Sequence, residues 1–206
     1  MEAPLVREYR APEINRDEIF RYLGQRRPEE QLSSLVEECI KEVDGALSYK
    51  VCYAELSIKA EGELLDLGFT KTDSRALERV LSGCDSIVLF AATLGVGADR
   101  LIMRYSARNP AKALVLDAIF TERIEALCDT FCLEIKKEME RRGCETQKRF
   151  SAGYADFPLE AQRDVFLCLT PEKNIGVHLN STLLMTPTKS VTAIIGIRKI
   201  DEKTAF

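Results

Sequence analysis

Four groups of residues in this sequence have types and spacings that could support chemistry. The first is Thr93-Leu94-Gly95-Val96-Gly97-Ala98, a glycine pair between an apolar run and a helix-like segment. Glycines in that setting let a backbone approach a phosphate or an adenosine at a helix N-terminus. The third glycine position of Gly-x-Gly-x-x-Gly is Arg100, whose bulk sits where close helix–strand packing is wanted. A tight strand-to-helix turn is therefore the preferred reading over a dinucleotide or Rossmann methyltransferase site. The second group is Arg149 to Pro158, with an arginine, aromatics, a glycine and a closing proline. Such a loop can set a guanidinium against a carboxylate and an aromatic ring, Tyr154, beside a flat ligand. On composition alone the preferred reading is an irregular connection anchored by Phe150 and Phe157. The third is the apolar–polar stretch from Ile175 to Thr192, read as a hairpin with a proline-containing turn, in which His178 alternates with Val177 and Leu179 as a strand-face residue.

The fourth is the set of seven scattered cysteines, Cys39, Cys52, Cys84, Cys128, Cys132, Cys144 and Cys168. None forms a Cys-x-x-Cys pair, and with a single histidine a structural zinc site is not expected. They read as small core hydrophobes in a reducing cytosol. No residue is arranged as a general base, nucleophile or metal ligand set.

The elements that must position these groups follow from periodicity. Asn15 caps a short helix that Gly24 closes, and a second helix runs from Pro28 to about Ala46 with Leu32, Leu35, Val36, Cys39, Ile40 and Val43 on one face. Tyr49 to Ile58 reads as a strand, and Asp73 as the cap of a helix over Ser74 to Leu81 that ends at Gly83. Asp85 to Leu94 is apolar on both faces, the pattern of a central strand. Pro110 opens the longest helix, to about Arg141, with a core stripe of Leu116, Phe120, Ile124, Leu127, Phe131 and Ile135. Around Gly143 a polar loop begins, Leu159 to Leu169 reads as helix, and strands are expected near Gly176 to Asn180 and Ser190 to Arg198. Helices and strands mix without regular βα alternation, which makes the fold class α+β.

Composition excludes several classes. The chain of 206 residues is 46% hydrophobic and 30% charged, too apolar for a disordered tail. Its longest apolar run, Ile87 to Ala92, cannot span a bilayer. Met1-Glu2-Ala3-Pro4 lacks the basic and apolar regions of a secretory signal. With 29 basic against 33 acidic residues there is no excess of cations to neutralise phosphates. The expectation is one cytoplasmic globular domain without nucleic-acid or membrane partners.

The second and third groups together carry a family resemblance. Arg149-Phe150-Ser151-Ala152-Gly153-Tyr154 through Pro158, then Ile175-Gly176-Val177-x-Leu179, then Met185-x-Pro187-x-x-Ser190-Val191, resemble the AdoMet-binding activation domain of cobalamin-dependent methionine synthase. The family pattern is Arg-Pro-x-Pro-Gly-Tyr, Gly-[MI]-x-Leu-Thr and Met-x-Pro-x-x-Ser-Val-Ser. Order and spacing match from about residue 85 to 198. The first 80 residues, expected to be helical, match weakly, although Arg21-Tyr22-Leu23-Gly24 resembles the start of free-standing members. Phe150 and Ala152 stand where the family loop has prolines, and the chain has no Trp, so it lacks the Trp-containing N-terminal segment of the long enzymes.

The resemblance implies a single C-shaped α+β domain, residues 1–206, with a mainly antiparallel sheet and flanking helices. It implies S-adenosyl-L-methionine (AdoMet) in a groove, with Arg149 holding its carboxylate and Ala152, Gly153 and Tyr154 lining it. Glu125 would meet the amino group or ribose, with Glu122, one turn away, as its rival. The implied role is a free-standing accessory protein, with no catalytic residue of its own, for reductive methylation of cobalamin. The cobalamin would sit on a separate methionine synthase lacking this domain, with flavodoxin or another protein as electron donor. The alternative is a relative that keeps the fold, has lost AdoMet and serves as a corrinoid-protein docking module.

Overall fold

The computed structural model describes residues 3–62 and 64–200, so Met1, Glu2 and the segment after Ile200 lie outside it. In chain order the elements are β1 (Leu5–Tyr9), α1 (Arg16–Tyr22), α2 (Glu30–Val43), β2 (Tyr49–Ser57), β3 (Lys59–Glu61), β4 (Leu64–Asp66), β5 (Lys71–Thr72) and α3 (Arg75–Val80). Then come β6 (Ser86–Thr93), α4 (Val96–Ser106), α5 (Pro110–Arg141) and β7 (Cys144–Thr146). After a 3-10 turn (Leu159–Ala161) the chain forms α6 (Gln162–Leu169), α7 (Pro171–Ile175), β8 (His178–Leu179), β9 (Met185–Thr186) and β10 (Ser190–Lys199). The class is α+β, as the mixed order of elements implies.

A five-stranded antiparallel sheet in the order β1-β2-β6-β10-β7 is the frame. Its central strands are apolar on both faces because both are covered. Val51, Val88, Phe90, Ala193 and Ile195 point to one core, shared with Leu116, Phe120, Leu127 and Phe131 of α5 and with α1, α2 and α4. Their chain neighbours Cys52, Ile87, Leu89, Ala91 and Ile194 point to a second core with α3, α6 and α7. The period-two alternation of a strand delivers both cores from one sheet.

Helix ends follow local chemistry. The Asn15 side chain accepts from the Glu18 amide and caps α1, and Asn109 does the same for α5, where Pro110 takes the first position. Ser74, rather than Asp73, caps α3. The long helix covers Pro110–Arg141, and its stripe from Leu116 to Ile135 is buried.

Several expectations are corrected. The first 80 residues are not simply helical: besides the expected strand β2, β1 belongs to the main sheet, and β3-β4-β5 form a small sheet of their own. Short β7 occupies the polar stretch after Gly143, and the first turn of the Leu159–Leu169 helix is 3-10. The β8–β9 hairpin turns at Asn180 to Leu184, where the Asn180 side chain accepts from the Thr182 and Leu184 amides, so Pro187 lies beyond the turn.

Two features expose the packing to test. Gly97 lets the start of α4 touch the turn before β2: a Cβ there would fall 1.9 Å from the Ala46 carbonyl oxygen. Gly97→Ala should therefore destabilise by about 1–3 kcal/mol or more in denaturant titration. Between α2 and α5, the Lys112 ammonium lies 2.7 Å from Glu38 and 2.8 Å from Glu42, and the Tyr105 hydroxyl donates to Glu42 at 2.7 Å. Hydrogen bonds from Lys112 and then Tyr105 hold the Glu42 carboxyl below its usual pKa. A lowered folded-state pKa gives stability that is full above the unfolded value, about 4.3, and is lost as pH falls through the folded value. Wild type should thus exceed Glu42→Gln in stability at neutral pH, with the gap closing on acidification through that window.

Candidate ligand-binding site

The site begins at the outer edge of β10. Beyond β7 the chain keeps riding along it: the Gln147 amide donates to the Gly196 carbonyl at 2.8 Å, and Phe150 exchanges two backbone hydrogen bonds with Ile194, at 2.9 and 2.8 Å. Successive side chains of extended backbone point to opposite faces. Phe150 therefore enters the core beneath α6, while Arg149 turns to α5. There its guanidinium pairs with Glu125 and lies 3.4 Å from Asp129, residues four apart on one face of α5.

After Phe150 the chain leaves the sheet in a tight loop. The Gly153 amide donates to the Phe157 carbonyl at 2.9 Å and the Phe157 amide to the Tyr154 carbonyl at 3.1 Å. Gly153 has φ +84°, in the left-handed region, and a Cβ there would meet Leu159 at 3.1 Å. Ala152 packs against the α6-side core. Tyr154 stays 67% exposed, edge-on to Phe150 with ring centroids 5.4 Å apart, which leaves a ring open to a ligand. Phe150 and Phe157 anchor the loop in the core, as its composition suggests.

A groove of about 630 Å³ lies between α5 and the segment leading into α1. Glu13, Glu18 and Tyr22 line one side, and Glu125, Asp129 and Thr130 the other. Arg149 and the loop residues do not line it; Arg149 alone reaches its margin, through Glu125 and Asp129. Burial first, and the negative field of Glu125 second, raise the pKa of the Tyr22 hydroxyl.

Glu122 has a different task. It is 3% exposed and Arg123 1%, and the two neighbours on α5 form a buried ion pair. Glu122 accepts from the Asn15 amide at 3.0 Å, and Arg123 donates to the carbonyls of Pro12 and Glu13 at 2.5 and 2.7 Å. This clamp holds the groove's N-terminal wall. Of the two glutamates, Glu125 is the one beside Arg149. Sequence reasoning missed Arg123 and Asp129; the placing of Arg123 beside Ile124, in the apolar stripe, was the available signal.

The other motifs are structural. The Gly95–Gly97 turn is filled by the backbone at Ala46 and the side chain of Ser48. His178 is exposed on β8, opposite Thr186. Burial pushes the thiols of Cys39 and Cys132 up to about 11 and that of Cys52 to about 12, which makes them poor nucleophiles at neutral pH. The turn before β10 is pinned by the Thr188 amide on Asp99, at 3.0 Å, and by Lys189 on Asp117, at 2.8 Å. No helix among the described residues is long and apolar enough to cross a membrane.

Among solved structures, the fold aligns with a crystal structure of the MetH reactivation domain bound to AdoHcy, with a TM-score of 0.62. The chain has the fold of that domain. Sequence identity is 16%, over 81% of this chain and 64% of the other, so the chain spans less than two thirds of the neighbour's length. No protein-family model matches the sequence, and no curated protein matches it significantly.

The two glutamates of α5 should separate cleanly in denaturant titrations. Glu122→Ala strips a buried arginine of its partner and should cost about 3–5 kcal/mol. Glu125→Ala removes a half-exposed pair and should cost less than about 1 kcal/mol. Equal losses would contradict the division of labour.

Proposed function

We propose that this chain is a single-domain AdoMet-binding module that supports reactivation of a separate cobalamin-carrying methionine synthase. The observation that carries the reading is the grouping of Arg149 with Glu125 and Asp129 at the margin of a groove large enough for a nucleoside amino acid. A free amino-acid end needs one cation for its carboxylate and acids for its ammonium, and this group supplies both. In the proposal Arg149 takes the carboxylate, Glu125 the ammonium or ribose, and Ala152, Gly153 and Tyr154 line the ligand. The solved neighbour of the same fold has AdoHcy bound, which supports a ligand of this class.

The residues of this chain would bind and orient. The methyl acceptor would be the reduced cobalt of the partner's cobalamin, with flavodoxin or another protein supplying electrons. The rival reading, a fold relative without AdoMet, is favoured by one observation: Arg149 already has two carboxylate neighbours that a ligand would have to displace.

Calorimetric titration with AdoMet decides between them. Binding is expected, and Arg149→Ala should weaken it by about 2–4 kcal/mol. Tyr154→Phe should lose less affinity than Tyr154→Ala, because the ring does the flanking. Gly153→Val should abolish binding, since its φ is strained for any branched residue. Supplied with AdoMet, a reductant and a cobalamin-loaded methionine synthase lacking its own activation domain, the chain should restore methylcobalamin. No heat of binding at millimolar AdoMet would favour the rival, and methylation of a small molecule without any corrinoid would overturn both.

A further inference from the structure

The loop from Arg149 to Pro158 has a tether that its own composition does not reveal. The Asp156 carboxylate accepts from the Ser74 hydroxyl at 2.5 Å, from the Arg75 amide at 3.0 Å and from the Ala76 amide at 3.2 Å. Those amides open α3 and have no partner within the helix. Ser74 is used twice, accepting from the Leu77 amide at 3.2 Å while donating to Asp156. The N-terminus of α3 is therefore capped from a loop some eighty residues away in sequence, and hydrogen bonds from the Ser74 hydroxyl first, then from the Ala76 and Arg75 amides, hold the Asp156 carboxyl below the ordinary range.

The consequence concerns the geometry of the loop. Its internal hydrogen bonds, Gly153 to Phe157 and Phe157 to Tyr154, set its shape but do not fix where that shape sits. Phe150 and Phe157 act as two apolar pivots in the α6-side core, and Leu77 seats α3 in that same core. Phe150 is also pinned to β10 by its two backbone hydrogen bonds with Ile194, but beyond it the apolar seat of Phe157 leaves the loop free to rock. The bond from Asp156 to α3 supplies a third, directional point and removes that freedom. Gly153 and Tyr154 lie between the first pivot and this tether.

We propose that Asp156 is the positioning residue of the ligand loop, fixing Ala152, Gly153 and Tyr154 relative to Arg149; this rests on the AdoMet reading above. It touches no ligand itself. Its effect is to order the loop before binding, so that binding does not have to order it.

The test is AdoMet titration of the full chain beside Asp156→Ala and Asp156→Asn, with amide hydrogen exchange of the unliganded proteins. Asp156→Ala should weaken AdoMet binding by about tenfold and speed exchange at the Gly153 and Phe157 amides, while amides in the middle of α5 keep wild-type protection. Asp156→Asn, which retains an acceptor oxygen, should fall between wild type and Asp156→Ala. Wild-type affinity and loop exchange in Asp156→Ala would overturn the inference and leave the AdoMet reading standing. So would a loss of affinity accompanied by lost protection throughout α5, because the role would then be general stability. A wild-type chain that binds no AdoMet would bring down the functional reading and this inference together.

Discussion

A sheet buried on both faces leaves polar chemistry nowhere to go but its edges and ends. That constraint organises this molecule. The middle strands spend most of their side chains on one of two cores, with Phe90 facing α5 and Leu89 facing the α6 side. The few polar groups they bury are paired, Thr192 donating to Gln162 at 2.9 Å and Ser190 to Thr93 at 2.8 Å. The residues proposed to bind ligand accordingly lie where β10 runs past its short edge partner, and where the chain at that edge meets α5.

The same alternation that builds the cores builds the site. Arg149 and Phe150 are neighbours in extended chain, so anchoring Phe150 in one core aims Arg149 at the other side, toward Glu125 and Asp129. Opposite them, the buried Glu122–Arg123 pair holds the stretch from Pro12 to Asn15 against α5 and so fixes a wall of the groove. The pair is buried yet every one of its partners is in place, the condition under which such a pair is tolerable.

How much could be read from the sequence depended on how local the cause was. The bounds of α5 were legible because Pro110, the 3.6-residue stripe and Gly143 act within a few residues. The strand β6 was legible because its apolar run is continuous. Strands β1 and β7 were not, since Leu-Val-Arg-Glu-Tyr and Cys-Glu-Thr become strands only by pairing with β2 and β10. Arg149, Gly153 and Tyr154 were singled out by the resemblance of their loop to a family motif, since composition alone favours an irregular connection there. That Glu122 is buried while Glu125 stays beside Arg149 could not be read in this way, because the contacts that bury Glu122 and Arg123 come from Asn15 and Pro12, more than a hundred residues away. The link from Asp156 to α3 is hidden for the same reason.

The most direct measurement of the central claim is AdoMet titration of the isotope-labelled chain followed by amide chemical shifts. Saturable shifts are expected at Arg149 to Tyr154 and around Glu125 and Asp129 on α5, with the sheet centre near Leu89 unmoved. Saturable shifts confined to another region, or none at all, would contradict that claim.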